Sequence, residues 1–198
     1  EETTYSVKAY ADTIIANEAT YGAKAVALAK AMLNYGGYAQ EYFGYDLGNL
    51  ANANLTAAEK DLSSVTAESI AEHRRGEQSN DAIGSLAGSN LSLKAETTLM
   101  LYFQLADGVD VSTLTFKVNG AKVDAVEAGQ YYLVLIENIA AHDLDTVYTI
   151  TVSDGTNTLE ATYSAMTYVY NILSRDRAQE LKNVVAALRL YNLAADAY

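Results

Sequence analysis

The chain has 198 residues, and its 25 Asp and Glu against 13 Lys and Arg give a net charge of −12 that makes nucleic acid and anionic membrane surfaces poor partners. The absence of Cys excludes disulfides, thiolate metal sites, Cys nucleophiles and iron–sulfur clusters. Half the residues are hydrophobic and 19% are charged, the balance of a packed domain, and no apolar stretch approaches the ~20 residues of a membrane span, so a soluble, mature fragment is expected.

Val7, Tyr10, Ala11, Ile14 and Ile15 repeat at helical spacing behind Ser6, a capping residue, which predicts a helix over 6–16. Leu28, Met32, Tyr35, Ala39 and Tyr42 step by four and three, predicting a longer helix over 20–43 with Gly44 as a left-handed cap. Gly36-Gly37 inside it costs roughly 1 kcal/mol per glycine relative to Ala, so either a helix or strand approaches closely there or the helix kinks. Tyr45 to Asn54 is rich in turn formers and reads as an irregular loop. Thr56 with Glu59, and Thr66 with Glu68, then open two short helical segments ending near Arg74-Arg75-Gly76.

Beyond residue 81 the period changes to two. Leu91/Leu93/Ala95, Leu99/Leu101/Phe103/Leu105, Leu114/Phe116/Val118, Tyr131/Leu133/Leu135 and Tyr148/Ile150/Val152 alternate as strands do. Asn119-Gly120 joins Leu114–Val118 to the run Ala-Lys-Val-Asp-Ala-Val as a tight hairpin, and Asp154-Gly155 marks a looser one. Five to seven short antiparallel strands suggest a small sandwich. Thr97 to Leu105 is apolar on both faces, as expected when one packs on a sheet and the other on helices.

Helical periodicity returns at Ser164 to Leu173 and at Val184, Leu188, Tyr191, Ala195 and Tyr198. Here the chain matches its own beginning. Tyr5-Ser6, Tyr10 and Ile14-Ile15 correspond to Tyr163-Ser164, Tyr168 and Ile172-Leu173; Ala31, Tyr35, Ala39 and Tyr42 correspond to Ala187, Tyr191, Ala195 and Tyr198. Chance matching in an Ala- and Tyr-rich chain is one explanation, and a duplicated helical hairpin is the other. Two such hairpins would bury their apolar stripes against each other. The expected fold is therefore α+β: two helical hairpins from the chain ends packed together, with a small antiparallel β-sandwich-like unit between them. The parts would be 1–80, 81–163 and 164–198, forming one compact body.

Tyr5-Ser-Val-Lys-Ala-Tyr-Ala-Asp, the segment Lys30 to Phe43, Asn49-Leu-Ala-Asn-Ala-Asn-Leu, the strand at 144–152 and the closing Leu190 to Tyr198 carry a resemblance through nearly the whole chain. It resembles an uncharacterised module of large secreted or cell-surface proteins of Gram-positive gut anaerobes, often C-terminal in them. That resemblance carries no assigned activity or site residue. It implies an extracellular, cell-surface location and a non-catalytic role.

His73 and His142 are the two imidazoles, and neither sits in a Gly-x-Ser-x-Gly or His-Glu-x-x-His motif, so both read as ordinary surface histidines. Asp143 with Asp145, and Asp107 with Asp110, offer carboxylate pairs for glycoside hydrolysis, but turn formation and solubility explain them as well. Asp46 to Asn54 and Asp154 to Asn157 carry oxygens suited to calcium yet lack EF-hand spacing, and read as Asx turns. No cofactor or metal is expected, nor any catalytic residue.

The 16 Tyr residues are the compositional anomaly. Tyr35, Tyr42, Tyr191 and Tyr198 fall on helical stripes and are expected in the core or half-buried. Tyr38, Tyr45, Tyr131 and Tyr170 are harder to bury together, and are the candidate ligand-binding residues; filling seams between helices and sheet is their alternative role. The leading expectation is a non-catalytic interaction module that binds a glycan, a host protein such as mucin or an immunoglobulin, or a neighbouring domain of its parent protein. A structural spacer or cap without a ligand is the alternative, and a small glycan hydrolase the third.

Overall fold

A computed structural model describes residues 6–79, 81–93 and 97–198. Tyr5 of the internal repeat and Ala95 of the strand pattern lie outside the described residues. The fold is α+β, and the chain divides into two compact units: a helical one formed by residues up to Ala71 together with Val169–Tyr198, and a β unit, Glu72–Tyr168, inserted between these parts.

In the helical unit, α1 (Val7–Ala16) begins where Ser6 Oγ accepts the Ala9 N–H, satisfying one orphan donor of the first turn. The next helix starts later than the pattern predicts. Gly22 adopts φ +84°, which splits the segment into a single turn, α2 (Glu18–Tyr21), and the long α3 (Ala23–Phe43). At its far end Gly44 takes the left-handed conformation, and Tyr45 N–H donates to the Gln40 carbonyl and Gly44 N–H to that of Glu41, which closes a Schellman cap.

The buried flank of α3 is not the Tyr-bearing stripe. Ala25, Val26, Ala29, Leu33 and Gly37 are buried, whereas Leu28, Met32, Tyr35 and Ala39 are half-buried and Tyr42 is exposed. Small side chains let the backbone approach its neighbours closely, leaving the larger phenols at the margin of the contact. The compensating neighbour for Gly36-Gly37 is the Asn-rich loop, not a helix or strand. A Cβ at Gly36 would lie 3.2 Å from Ala51 Cβ, and one at Gly37 would overlap the Asn52 side chain.

α5 (Gln179–Ala197) packs along α3, burying Val184 through Leu188 and Asn192, and α1 also lies against α3. Ala11, Ala29, Leu33 and Leu55 form one core cluster, flanked by Ile14, Ile15 and Met32. Tyr198, expected in the core or half-buried, is 69% exposed.

Thr56 and Glu59 make the expected reciprocal box: Thr56 N–H donates to Glu59 Oε2 at 2.8 Å and Glu59 N–H to Thr56 Oγ1 at 3.3 Å. Thr66, paired with Glu68 in the sequence pattern, exchanges bonds with Ser69 instead. Neither opens a helix; residues 57–70 form turns, followed by one 3₁₀ turn, Ala71–His73. The carboxylate of Asp61 accepts both the N–H and hydroxyl of Ser63, a local bond that competes with helix propagation.

The β unit holds β1 (Gly84–Leu93), β2 (Thr97–Leu105), β3 (Thr115–Val118), β4 (Ala121–Val123), β5 (Val126–Ala128), β6 (Tyr131–Ile136), β7 (Tyr148–Ser153) and β8 (Thr158–Tyr163). They form two four-stranded antiparallel sheets, ordered β1-β2-β6-β5 and β4-β3-β7-β8. The strand count exceeds the expected range because Ala-Lys-Val-Asp-Ala-Val is two strands in different sheets, the chain crossing over at Asp124-Ala125. Asn119 (φ +49°) and Gly120 (φ +83°) make the predicted two-residue turn. Leu99, Leu101, Phe103 and Val134 of one sheet and Phe116, Ile150, Val152 and Leu159 of the other are buried, and Phe103 meets Phe116 edge-on at 6.2 Å. On the other face of β2, Met100 and Tyr102 are half-buried.

Residues 72–79 belong to this unit, not to the helical part, and their bonds show why. Gln78 donates to the Gly84 carbonyl and accepts from Leu86 N–H, Arg75 donates to the Leu86 carbonyl, and Ser79 exchanges bonds with the backbone of Glu160. The segment thereby occupies outer edges of β1 and β8, where unpaired backbone groups would otherwise need water. α4 (Ala165–Leu173) starts in the β unit, capped by Ser164 Oγ, which accepts from Thr167 N–H at 3.0 Å.

Candidate functional site

The end of α3 displays the densest run of exposed large apolar side chains among the described residues. Tyr42, Phe43, Tyr45 and Leu47 are 40%, 63%, 72% and 58% exposed. Local structure holds them outward. The Gly44 cap stops the helix, Asp46 takes φ +48°, and the Gln40 amide braces the following loop, donating to the Asn49 carbonyl at 3.2 Å and accepting from Ala51 N–H at 2.6 Å. Tyr42 and Phe43 pack edge-on at 4.9 Å. The surface is therefore built on a braced scaffold, which reduces the ordering cost of binding.

A second feature of the helical unit is an open groove of about 460 Å³. Tyr38 on α3, the 61–67 turn, Leu173 at the end of α4 and the first turns of α5 line it. The Tyr38 hydroxyl donates to the Lys60 carbonyl at 3.0 Å, which fixes the ring, and burial raises its pKa, with Glu41 and Asp61 adding to the shift. Gln179 Nε2 donates to Asn183 Oδ1 at 2.9 Å on the opposite wall.

The four candidate tyrosines are divided between the two units. Tyr45 is exposed just beyond the cap of α3, Tyr38 lines the groove, and Tyr170 is half-buried on α4. Tyr131 belongs to the β unit, where it is half-buried and meets Tyr102 edge-on at 5.9 Å. Phe43, Leu47, Gln179, Lys182 and Asn183 were not singled out by the sequence pattern. For Phe43 and Leu47 a signal existed: large apolar residues beside Gly44 and Gly48 in a turn-forming run have no periodic face to bury them.

His142 is exposed and lies 3.3 Å from Asp143. His73 is not a surface histidine, since its side chain is 13% exposed, with Nε2 3.5 Å from Glu72. Asp154 accepts from the N–H groups of Thr156 and Asn157 at 2.8 and 2.6 Å, an Asx turn whose bonds hold its carboxyl below the usual range. Asp110 similarly accepts from Ser112 N–H at 2.9 Å. Among the described residues no group of three or more His, Asp or Glu is placed to hold a metal ion, and no helix is long and apolar enough to cross a membrane. Compared with protein-family models, curated proteins and solved structures, the chain matches none.

Proposed function

We propose that the chain is a non-catalytic extracellular interaction module of a bacterial surface protein, and that it docks a partner protein through the Tyr-containing end of α3. The observation that carries this reading is the run Tyr42, Phe43, Tyr45 and Leu47, four exposed apolar side chains within six residues. Aromatic side chains of this kind are enriched at the centres of protein interfaces, where they bury large area with little rotamer entropy to lose. Glu41 stands beside the run, Asp46 within it, and the chain carries −12 overall, so the complementary partner is apolar with basic groups around its contact. The extracellular setting rests on the sequence resemblance.

The test is retention of secreted host proteins, including mucin and immunoglobulins, on the immobilised chain. A specifically retained protein should be lost from a Phe43→Ser/Tyr45→Ser variant whose circular dichroism is unchanged. Retention that survives the double substitution, or no retained protein, would overturn the reading.

A further inference from the structure

We infer that the groove between Tyr38, the 61–67 turn and α5 is a binding site for a neutral saccharide. It shares no residue with the exposed end of α3, so it stands or falls apart from the proposed docking surface. Its volume of about 460 Å³ lies in the range of small-molecule sites and accommodates one or two sugar rings.

The lining divides into an apolar part and a polar part, and a pyranose has the same division. Leu62, Val65, Leu173 and Ala186 supply the apolar part, beside the Tyr38 ring. A sugar ring presents a C–H face that packs on such a surface and a rim of hydroxyls that each donate and accept. The polar part answers that rim. The Gln179–Asn183 bond uses one donor and one acceptor, leaving Gln179 Oε1 to accept and Asn183 Nδ2 to donate. Asp61 adds a carboxylate acceptor and Lys182 an ammonium donor.

Charge then selects among polar ligands. One carboxylate and one ammonium cancel, so an anion attracted by Lys182 meets Asp61, and a cation attracted by Asp61 meets Lys182. The Ser63 N–H and hydroxyl both donate to the Asp61 carboxylate, which fixes that charge in place beside the groove. A ligand that is polar but uncharged meets neither penalty.

The experiment is amide chemical-shift mapping of the full chain titrated with glucose, galactose, N-acetylglucosamine, maltose and lactose, and with glucuronate and glucosamine as charged counterparts. At least one neutral sugar should shift the amides of residues 61–67 and 179–186, with a dissociation constant on the order of millimolar. Asn183→Ala and Gln179→Ala should each weaken it about fivefold or more, one lost hydrogen bond apiece, with circular dichroism unchanged. Phe43→Ser should bind the sugar as the wild type does. The assignment is overturned if no neutral sugar shifts these amides, if a charged counterpart binds tighter than every neutral sugar, or if both variants bind as the wild type.

Discussion

The phenol rings of Tyr35 and Tyr191 stack with centroids 5.9 Å apart and planes 10° from parallel, and the two residues occupy matching positions in the internal repeat. Two matching helices that pack about a pseudo-two-fold axis bring residues near that axis opposite their counterparts, which is the arrangement a duplicated hairpin would give. The equivalent serines behave alike too, Ser6 capping through Ala9 N–H and Ser164 through Thr167 N–H.

Burial, with Tyr191 adding to it, pushes the Tyr35 pKa from its ordinary 10.0 up to about 12, and burial raises that of Tyr191. A folded-state pKa above the unfolded one means that the neutral phenol's contribution is complete below pH ~10 and is lost as the pH climbs towards about 12. Tyr35→Phe removes this titration. Between about pH 9 and about pH 11.5 the urea midpoint should fall less in the variant than in the wild type. Equal declines would show that Tyr35 is not held neutral by the fold.

Gly37 and Gly36 should respond very differently to Ala. A methyl group at Gly37 overlaps the buried Asn52 side chain, whose Nδ2 donates to Asn34 Oδ1 at 3.1 Å, so Gly37→Ala should cost about 2–3 kcal/mol. At Gly36 the tight contact with Ala51 Cβ is offset by the better helix propensity of Ala, and the change should stay within about 1 kcal/mol of wild type. Denaturant unfolding of both variants compares them directly. Adding Asn52→Ala to Gly37→Ala should cost less than the sum of the two single changes, because they act on one contact.

Acid should weaken the helical unit through Glu59. Its side chain accepts from Lys30 Nζ at 2.7 Å and from Thr56, and these bonds, that of Lys30 first, lower its pKa from 4.5 to about 2. The stability due to the ionised carboxylate is therefore present above pH ~4.5 and disappears as the pH falls towards about 2. The stability difference between wild type and Glu59→Gln should shrink from about pH 5 to about pH 2.5. A difference that is constant over that window would mean that the Lys30–Glu59 pair does not hold in solution.

Removing the exposed aromatics should leave the fold intact. Phe43→Ser and Tyr45→Ser should each change unfolding free energy by no more than about 0.5 kcal/mol, since both side chains lie mostly in water. A loss of 2 kcal/mol or more would place them in the core and withdraw them as a docking surface.

How much of this was legible in the sequence depends on the range of the deciding interaction. Caps and tight turns are local: Ser6, Gly44, Asn119-Gly120 and the Thr56–Glu59 box stand where the pattern puts them, because each bond closes within five residues. The buried flank of α3 departs from the large-residue pattern, since Ala25, Ala29 and Gly37 are buried by tertiary neighbours that a count of large apolar residues overlooks. Splitting of the run at 121–128 between two sheets likewise depends on partners elsewhere in the chain, β3 for one half and β6 for the other. The groove was invisible because its walls come from residues 38, 61–67 and 173–186, which acquire a common chemistry only after folding.

The insertion of the β unit into the helical one has a mechanical consequence. Residues 6 and 198 both belong to the helical unit, and the two chain connections to the sandwich lie at 71/72 and 168/169. Tension applied between those two residues enters through α1 and leaves through α5, so the α1–α3 and α3–α5 contacts should part before the strands are loaded. Single-molecule extension should therefore release the helical unit's length before that of the strands, and the reverse order would contradict this load path. Inserted in this way, the sandwich is slack that becomes available only once the helices have separated.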